Sequence, residues 1–181
     1  MRKNLAIILA FGLPMVLVVV VGLSVYIPSL SVSTDYDFIY SVCTDDFRSP
    51  YSYCGNYQKI YSVDQNGKLV AEEVVLDNLG PKPSEPKYNS RLFLHDAETN
   101  QSHEITEEEA KNLNLSGMLT SPDGATVTSG YDRAGDFLFF DGGSSYAYYL
   151  NRDGARKKLN LIDTDDRYYL NNFQFVGWVI K

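Results

Sequence analysis

Apolar and polar positions divide the chain into one unbroken apolar run and a long remainder in which the two kinds alternate over short stretches. The run from Leu5 to Ile27 holds no charged residue. As a helix rising about 1.5 Å per residue it reaches roughly 34 Å, enough for a hydrocarbon layer of about 30 Å. Arg2 and Lys3 precede it, and the acidic Asp35 and Asp37 are the first charges after it. The positive-inside asymmetry therefore predicts a cytoplasmic N-terminus over 1–4, a transmembrane anchor over 5–28, a membrane-proximal linker over 29–36 and an extracytoplasmic β domain over 37–181. A cleaved secretory signal is the competing reading, with Ser31-Val32-Ser33 as the small-x-small site and a secreted remainder as the outcome. Signal cores run about 7 to 15 residues, shorter than this run. Pro14 lies inside the run, where a kink is tolerated if neighbouring groups take up the freed backbone.

Beyond the run the period is that of strands. Segments rich in Tyr, Phe, Val, Ile and Leu recur at Asp37 to Cys43, Lys59 to Val63, Lys68 to Val75, Arg91 to His95, Ala125 to Ser129, Phe137 to Phe140, Tyr146 to Leu150, Lys157 to Leu161 and Phe173 to Ile180. Asp64-Gln65-Asn66-Gly67 and Asn151-Arg152-Asp153-Gly154 offer Asn-Gly and Asp-Gly for tight hairpins, and Asp96 to Asn100 reads as a slightly longer turn. One short helix is predicted where Thr106-Glu107-Glu108-Glu109 forms a capping box, ending by Gly117. Residues from Asp77 to Asn89 carry three prolines and no period, and read as a surface connection. The last strand is apolar on both faces apart from Gln174, which predicts a covered strand with Trp178 in the core.

Charge narrows the partners. All 23 acidic residues follow the run, and the net charge is -7. Nucleic acid and anionic lipid headgroups need clustered Lys and Arg, and Arg156-Lys157-Lys158 is the only basic cluster, better suited to a solvated strand edge. The two cysteines, Cys43 and Cys54, enclose a short loop after the apolar run. In an oxidising compartment they would form a structural disulfide worth on the order of 2–3 kcal/mol.

Three stretches share one plan, an apolar-aromatic strand, an acidic or amide turn and a polar strand: from Lys59, from Arg91 and from Tyr146. With Ser121-Pro122-Asp123-Gly124 opening a unit, Tyr146 to Leu161 as its hairpin and Phe173 to Ile180 starting another, the C-terminal half resembles the blades of TolB-type β-propellers. The hairpins begin at uneven intervals and the chain has room for about three blades, whereas a closed ring needs at least about four. The expected fold is thus all-β, with antiparallel hairpins in an incomplete propeller-like stack or a small sandwich, preceded by one transmembrane helix. The SPDG turn and the ending KKLNL…FQFVGW are also similar to those of small membrane-anchored proteins of ultrasmall bacteria, which implies a bacterial cell-envelope location.

Catalytic motifs are sparse. The chain has no G-x-S-x-G, no H-E-x-x-H and no glycine-rich phosphate loop, and His95 and His103 are its only histidines. His95 reads as a surface or edge residue. Asp45-Asp46 and Asp163-Thr164-Asp165-Asp166 have calcium-compatible oxygens but match no EF-hand loop, and solvated turns explain them better. No catalytic, cofactor-binding or metal residue is therefore assigned. Of the 14 tyrosines all but Tyr26 follow the run, and Tyr146, Tyr148 and Tyr149 form a candidate binding surface for protein or glycan. The expectation is a membrane-tethered extracytoplasmic binding or scaffold module, touching lipid through 5–28 and an envelope protein or glycan through its β domain. An accessory subunit assembling through its membrane helix and an unrecognised envelope hydrolase are the alternatives.

Overall fold

A computed structural model of the protein describes residues 11–22, 32–43, 57–75, 90–132, 145–162 and 173–181. Residues 11–22 form a helix, α1. Its large apolar side chains are all strongly exposed, from 47% at Val21 to 78% at Phe11. Among the described residues no helix is long and apolar enough to cross a membrane. The rest of the predicted span, 5–10 and 23–28, lies outside them.

The β domain is mostly strand, as the alternation predicts. In chain order its elements are β1 Phe38–Cys43, β2 Tyr57–Val63, β3 Leu69–Val75, β4 Ser90–Asp96, β5 Gln101–Ile105, α2 Glu107–Lys111, β6 Leu115–Ser116, β7 Thr126–Asp132, β8 Ser145–Arg152, β9 Ala155–Lys158 and β10 Phe173–Val179. Among the described residues these strands form three antiparallel sheets: a central one of order β5-β4-β1-β10-β6, the hairpin β2-β3, and a third of order β7-β8-β9. Sequence neighbours meet through hairpins, but the central pair is non-local. The first strand lies against the last, with Phe38 opposite Trp178 and Val42 opposite Phe173.

Every residue of β1 is buried because the central sheet is covered on both faces. One face carries Phe38, Tyr40, Val42, Phe93 and Trp178, packed against Ala125, Leu150 and Leu159 of the β7-β8-β9 layer and against Val32. The other carries Ile39, Leu92 and Val176, packed against Tyr61 and Leu69 of the β2-β3 hairpin, Ala110 of α2 and Leu115. The alternation of side chains along β1 and β4 is thus the reason for a three-layer arrangement.

Near Ile39 the register of β1 and β10 shifts by one residue, so Val176 and Gly177 together oppose one residue of β1. Gly177 is required there, since a Cβ would stand 2.7 Å from the Ser116 carbonyl oxygen and 2.9 Å from Val63 Cγ2.

The turns differ in how closely they follow expectation. Asp153 and Gly154 take φ of 52° and 79°, the pair of left-handed conformations a two-residue hairpin asks for. At the β2-β3 turn only Gly67 is left-handed, with φ 72°. The turn is instead held by Asp64, whose carboxylate accepts from the amides of Asn66 at 2.9 Å and Lys68 at 2.8 Å. The capping box is present: Thr106 accepts from the Glu109 amide, and the Glu109 carboxylate accepts from the Thr106 amide. The predicted segment Phe137 to Phe140 lies outside the described residues, and β9 begins two residues before the expected Lys157.

Candidate functional site

The registers give the domain two unlike ends. At one end, here called the near end, stand residues 32–37, the turns at Asp64–Gly67, Asp96–Asn100, Ser121–Gly124 and Asn151–Gly154, and the last residues of β10. At the far end Cys43, Ser90, Asp132, Ser145 and Phe173 mark where the connections of residues 44–56, 76–89, 133–144 and 163–172 leave or rejoin the sheets. Among the described residues the short hairpin turns are all at the near end, and long connections join the sheets at the far one.

The near end is built around Asp123. Gly124, with φ 90°, turns the chain so that the Gly124 amide donates to the Ser121 carbonyl at 3.0 Å and the Ala125 amide to Ser121 Oγ at 2.7 Å. The Asp123 carboxylate then accepts from Thr34 Oγ1 at 2.8 Å, from the Asp35 amide at 3.2 Å and from Arg152 Nη1 at 3.0 Å. Arg152 also donates to the Ser33 carbonyl at 3.1 Å. Burial pushes the Asp123 carboxyl upward, but hydrogen bonds from Ser121, Thr34 and Asp35 together with the Arg152 charge hold it below the ordinary carboxylate range. With Val32 and Thr34 both buried, residues 32–36 belong to the packed domain, which corrects the expected linker over 29–36 at its C-terminal part. The sequence signal was the Ser-Pro-Asp-Gly turn, legible as a turn but not as a clamp on a segment so distant in the chain.

A second polar group joins β2 to α2. Glu107 is ion-paired with Lys59, accepts from the Tyr61 hydroxyl at 3.1 Å and stands 3.7 Å from Lys111 Nζ. The Lys59 bond leads the depression of the Glu107 carboxyl, and burial followed by the Glu107 charge raises the Tyr61 phenol. A carboxylate held ionised and a phenol held protonated make a docking contact, with neither group poised to move a proton at neutral pH.

His95 is the chemical surprise. It is fully buried, on a strand flanked by β1 and β5, which corrects its reading as a surface or edge residue. Its ring lies 4.7 Å from that of Phe38, and Nδ1 is 2.9 Å from Ser102 Oγ. Among the described residues its Nε2 has no partner. Burial lowers its pKa to about 4, outweighing the charges of Asp96 and Asp37, so the ring is neutral at physiological pH. Serine and histidine stand in contact, but the base is too weak near neutrality and too deeply buried to serve a substrate. His103 faces solvent on β5.

The tyrosines are placed unevenly. Tyr149 is 6% exposed, beneath the Arg156 guanidinium at 4.8 Å from its ring centroid. Tyr148 is half-buried and packs its ring 4.1 Å from that of Phe173, while Tyr146 is half-buried toward the far end. Tyr148 and Tyr149 are therefore packing residues first. Arg156, Lys157 and Lys158 lie on the edge strand β9, as their charge predicts.

Cys43 ends β1 at the far end and no described cysteine is free, while Cys54 lies outside the described residues. Asp45, Asp46 and Asp163 to Asp166 also lie outside them. Among the described residues no three His, Cys, Asp or Glu side chains group to hold a metal ion.

Sequence reasoning also passed over Met118 and Leu119, 67% and 76% exposed. They sit in a stretch from Asn112 to Pro122 without a single charge, which was the available signal. No family model, curated protein or solved structure matches the chain.

Proposed function

We propose that the protein is a membrane-tethered extracytoplasmic binding or scaffold module of a bacterial cell envelope, held by the apolar run from Leu5 to Ile27 and presenting the far end of its β domain to a protein or glycan partner. The observation that carries this reading is the polarity of the domain. The segment that follows the apolar run is clamped at the near end, and the long connections, the usual carriers of recognition, attach at the other.

The exposed side chains of α1 support the anchor. A helix apolar all round is stable only when protein or lipid covers it. The same feature favours the second reading, in which the helix itself contacts another membrane subunit. Export also fits a Cys43–Cys54 disulfide, which would staple the far end of β1 to the start of the connection toward β2. The stacked sheets and the Ser121–Gly124 turn support an incomplete propeller-like stack in the manner of TolB-type repeats.

Photo-crosslinking in intact cells tests the reading. A crosslinking side chain at position 146, toward the far end, should capture a repeatable partner, and one at position 66, at the near-end turn, should not. Equal capture at both positions, or protection of the β domain from protease added to spheroplasts, removes the proposal. Replacement of Leu5 to Ile27 by an unrelated span separates the two readings, since only assembly through the helix should be lost.

A further inference from the structure

We infer that Met118 and Leu119 form a lipid-contacting loop that enters the membrane interface beside the point where the anchor leaves it. The inference rests on the membrane-tethered reading above and adds a second contact with the same bilayer.

The first ground is exposure. Apart from α1, Met118 and Leu119 are the most exposed large apolar side chains among the described residues, and they are adjacent. The second is place. Ser116 pairs with Trp178 and Thr120 bridges to Thr126, so Gly117 to Leu119 cross from the edge of the central sheet to the β7-β8-β9 layer. At about 3.3 Å per residue this crossing stands within roughly two residues of the near-end turns. Through the Ser121 to Gly124 turn it is tied to Thr34 and Asp35 by the Asp123 carboxylate.

The third ground is reach. Four residues separate Ile27 from Val32, which is buried in the domain. Fully extended they span at most roughly 18 Å. An anchor ending at Ile27 therefore leaves the near end no farther from the hydrocarbon than that, and the interfacial layer occupies part of the gap.

The fourth ground is charge. The turns around the near end carry Asp35, Asp64, Asp96 and Asp153, whereas residues 112 to 122 carry none. Met118 and Leu119 can therefore be buried without desolvating a charge of their own loop, and the cation beside it, Lys68, which donates to the Leu113 carbonyl and to Asn114 Oδ1 at 3.1 Å, suits the headgroup level. Bilayer is therefore the occupant chosen for this exposed pair.

The test uses the full chain reconstituted in phosphatidylcholine vesicles whose acyl chains carry bromine as a fluorescence quencher. The chain's one tryptophan, Trp178, is fully buried and gives a constant background. The emission that Leu119→Trp adds above this background should fall by about twofold relative to unbrominated vesicles, as expected of an indole at the interface. Glu108→Trp, on the exposed side of the far-end helix α2, should not. Equal quenching of the two, or none at position 119 in a chain that floats with the vesicles, overturns the inference alone. A chain that fails to float removes the anchor and this inference with it. Unchanged circular dichroism of each variant keeps the comparison valid.

Discussion

The two faces of the central sheet solve the same burial problem with different chemistry. One face is aromatic: Phe38 packs edge-on to Trp178 at 5.5 Å between ring centroids, and Tyr40 stacks between Phe93 at 5.2 Å and Phe173 at 5.3 Å. The other is aliphatic, and at its middle stands the Gln174 amide. Gln174 donates to the Tyr61 carbonyl at 2.8 Å and accepts from the Tyr61 amide at 3.4 Å and from Ser41 Oγ at 3.2 Å. Its side chain thus acts toward β2 as a peptide group of a neighbouring strand would. Large rings fill the space toward the β7-β8-β9 layer on one side, whereas on the other Gln174 bridges to Tyr61 and Val63 lies against Gly177, bringing the β2-β3 hairpin close to β10. The difference teaches that one sheet can carry a thick apolar interface and a thin, partly hydrogen-bonded one, with the bulge at Val176 and Gly177 accommodating the close approach.

That contrast can be broken most forcefully at Trp178. Trp178→Ala removes the largest fully buried side chain of the aromatic face, and urea unfolding should show a loss of about 3–5 kcal/mol. A loss below that of an aliphatic truncation would mean that the rings are not what holds the layer.

His95, on the same face, gives the next effect through pH. Its folded pKa of about 4 lies below the ordinary 6.5, so the unfolded chain binds the extra proton between those values. The contribution is whole above pH 6.5, declines as pH falls toward 4 and is lost below it, on the order of 3 kcal/mol in all. His95→Gln should flatten the stability profile in that window, and an unchanged slope would assign it to the carboxylates.

On the thin face Gln174→Leu leaves the Tyr61 amide and carbonyl without their partner. Denaturation should detect a cost of about 2 kcal/mol. Hydrogen exchange should quicken first in β2, and uniform exchange would contradict the bridging role. The smallest effect is that of Ile39→Val, about 1 kcal/mol, as expected for one methylene in an aliphatic layer that relaxes around it.

Local patterns in the sequence carried much of this architecture. The alternation from Lys59 to Val75, the Asp153-Gly154 turn and the Thr106 to Glu109 capping box are decided by residues within a few positions of one another, and each is found as read. The same holds for the covered last strand, since a run apolar on both faces fits only an interior position. What escaped was set by distant partners. β6 is two residues long and exists because Leu115 and Ser116 meet β10, and its own pattern reads as the tail of a helix. Burial of His95 follows from β5 on one side and Phe38 against the ring, neither of which its flanking Leu92-Phe93-Leu94 reveals. The Asp123 clamp on Thr34 joins residues from opposite sides of two intervening hairpin units, and the exposure of Leu119 is a property of the crossing rather than of the residue.

The pairing of β1 with β10 also sets a timetable. A ribosome releases Phe38 long before Trp178, so the middle of the central sheet waits for every strand between β1 and β10 before the ladder joining those two can form. Folding that depends on so late a partner is slow relative to hairpin closure. During that wait β1 has a bare edge, which makes the newborn chain, rather than the finished one, the form most in need of protection from association.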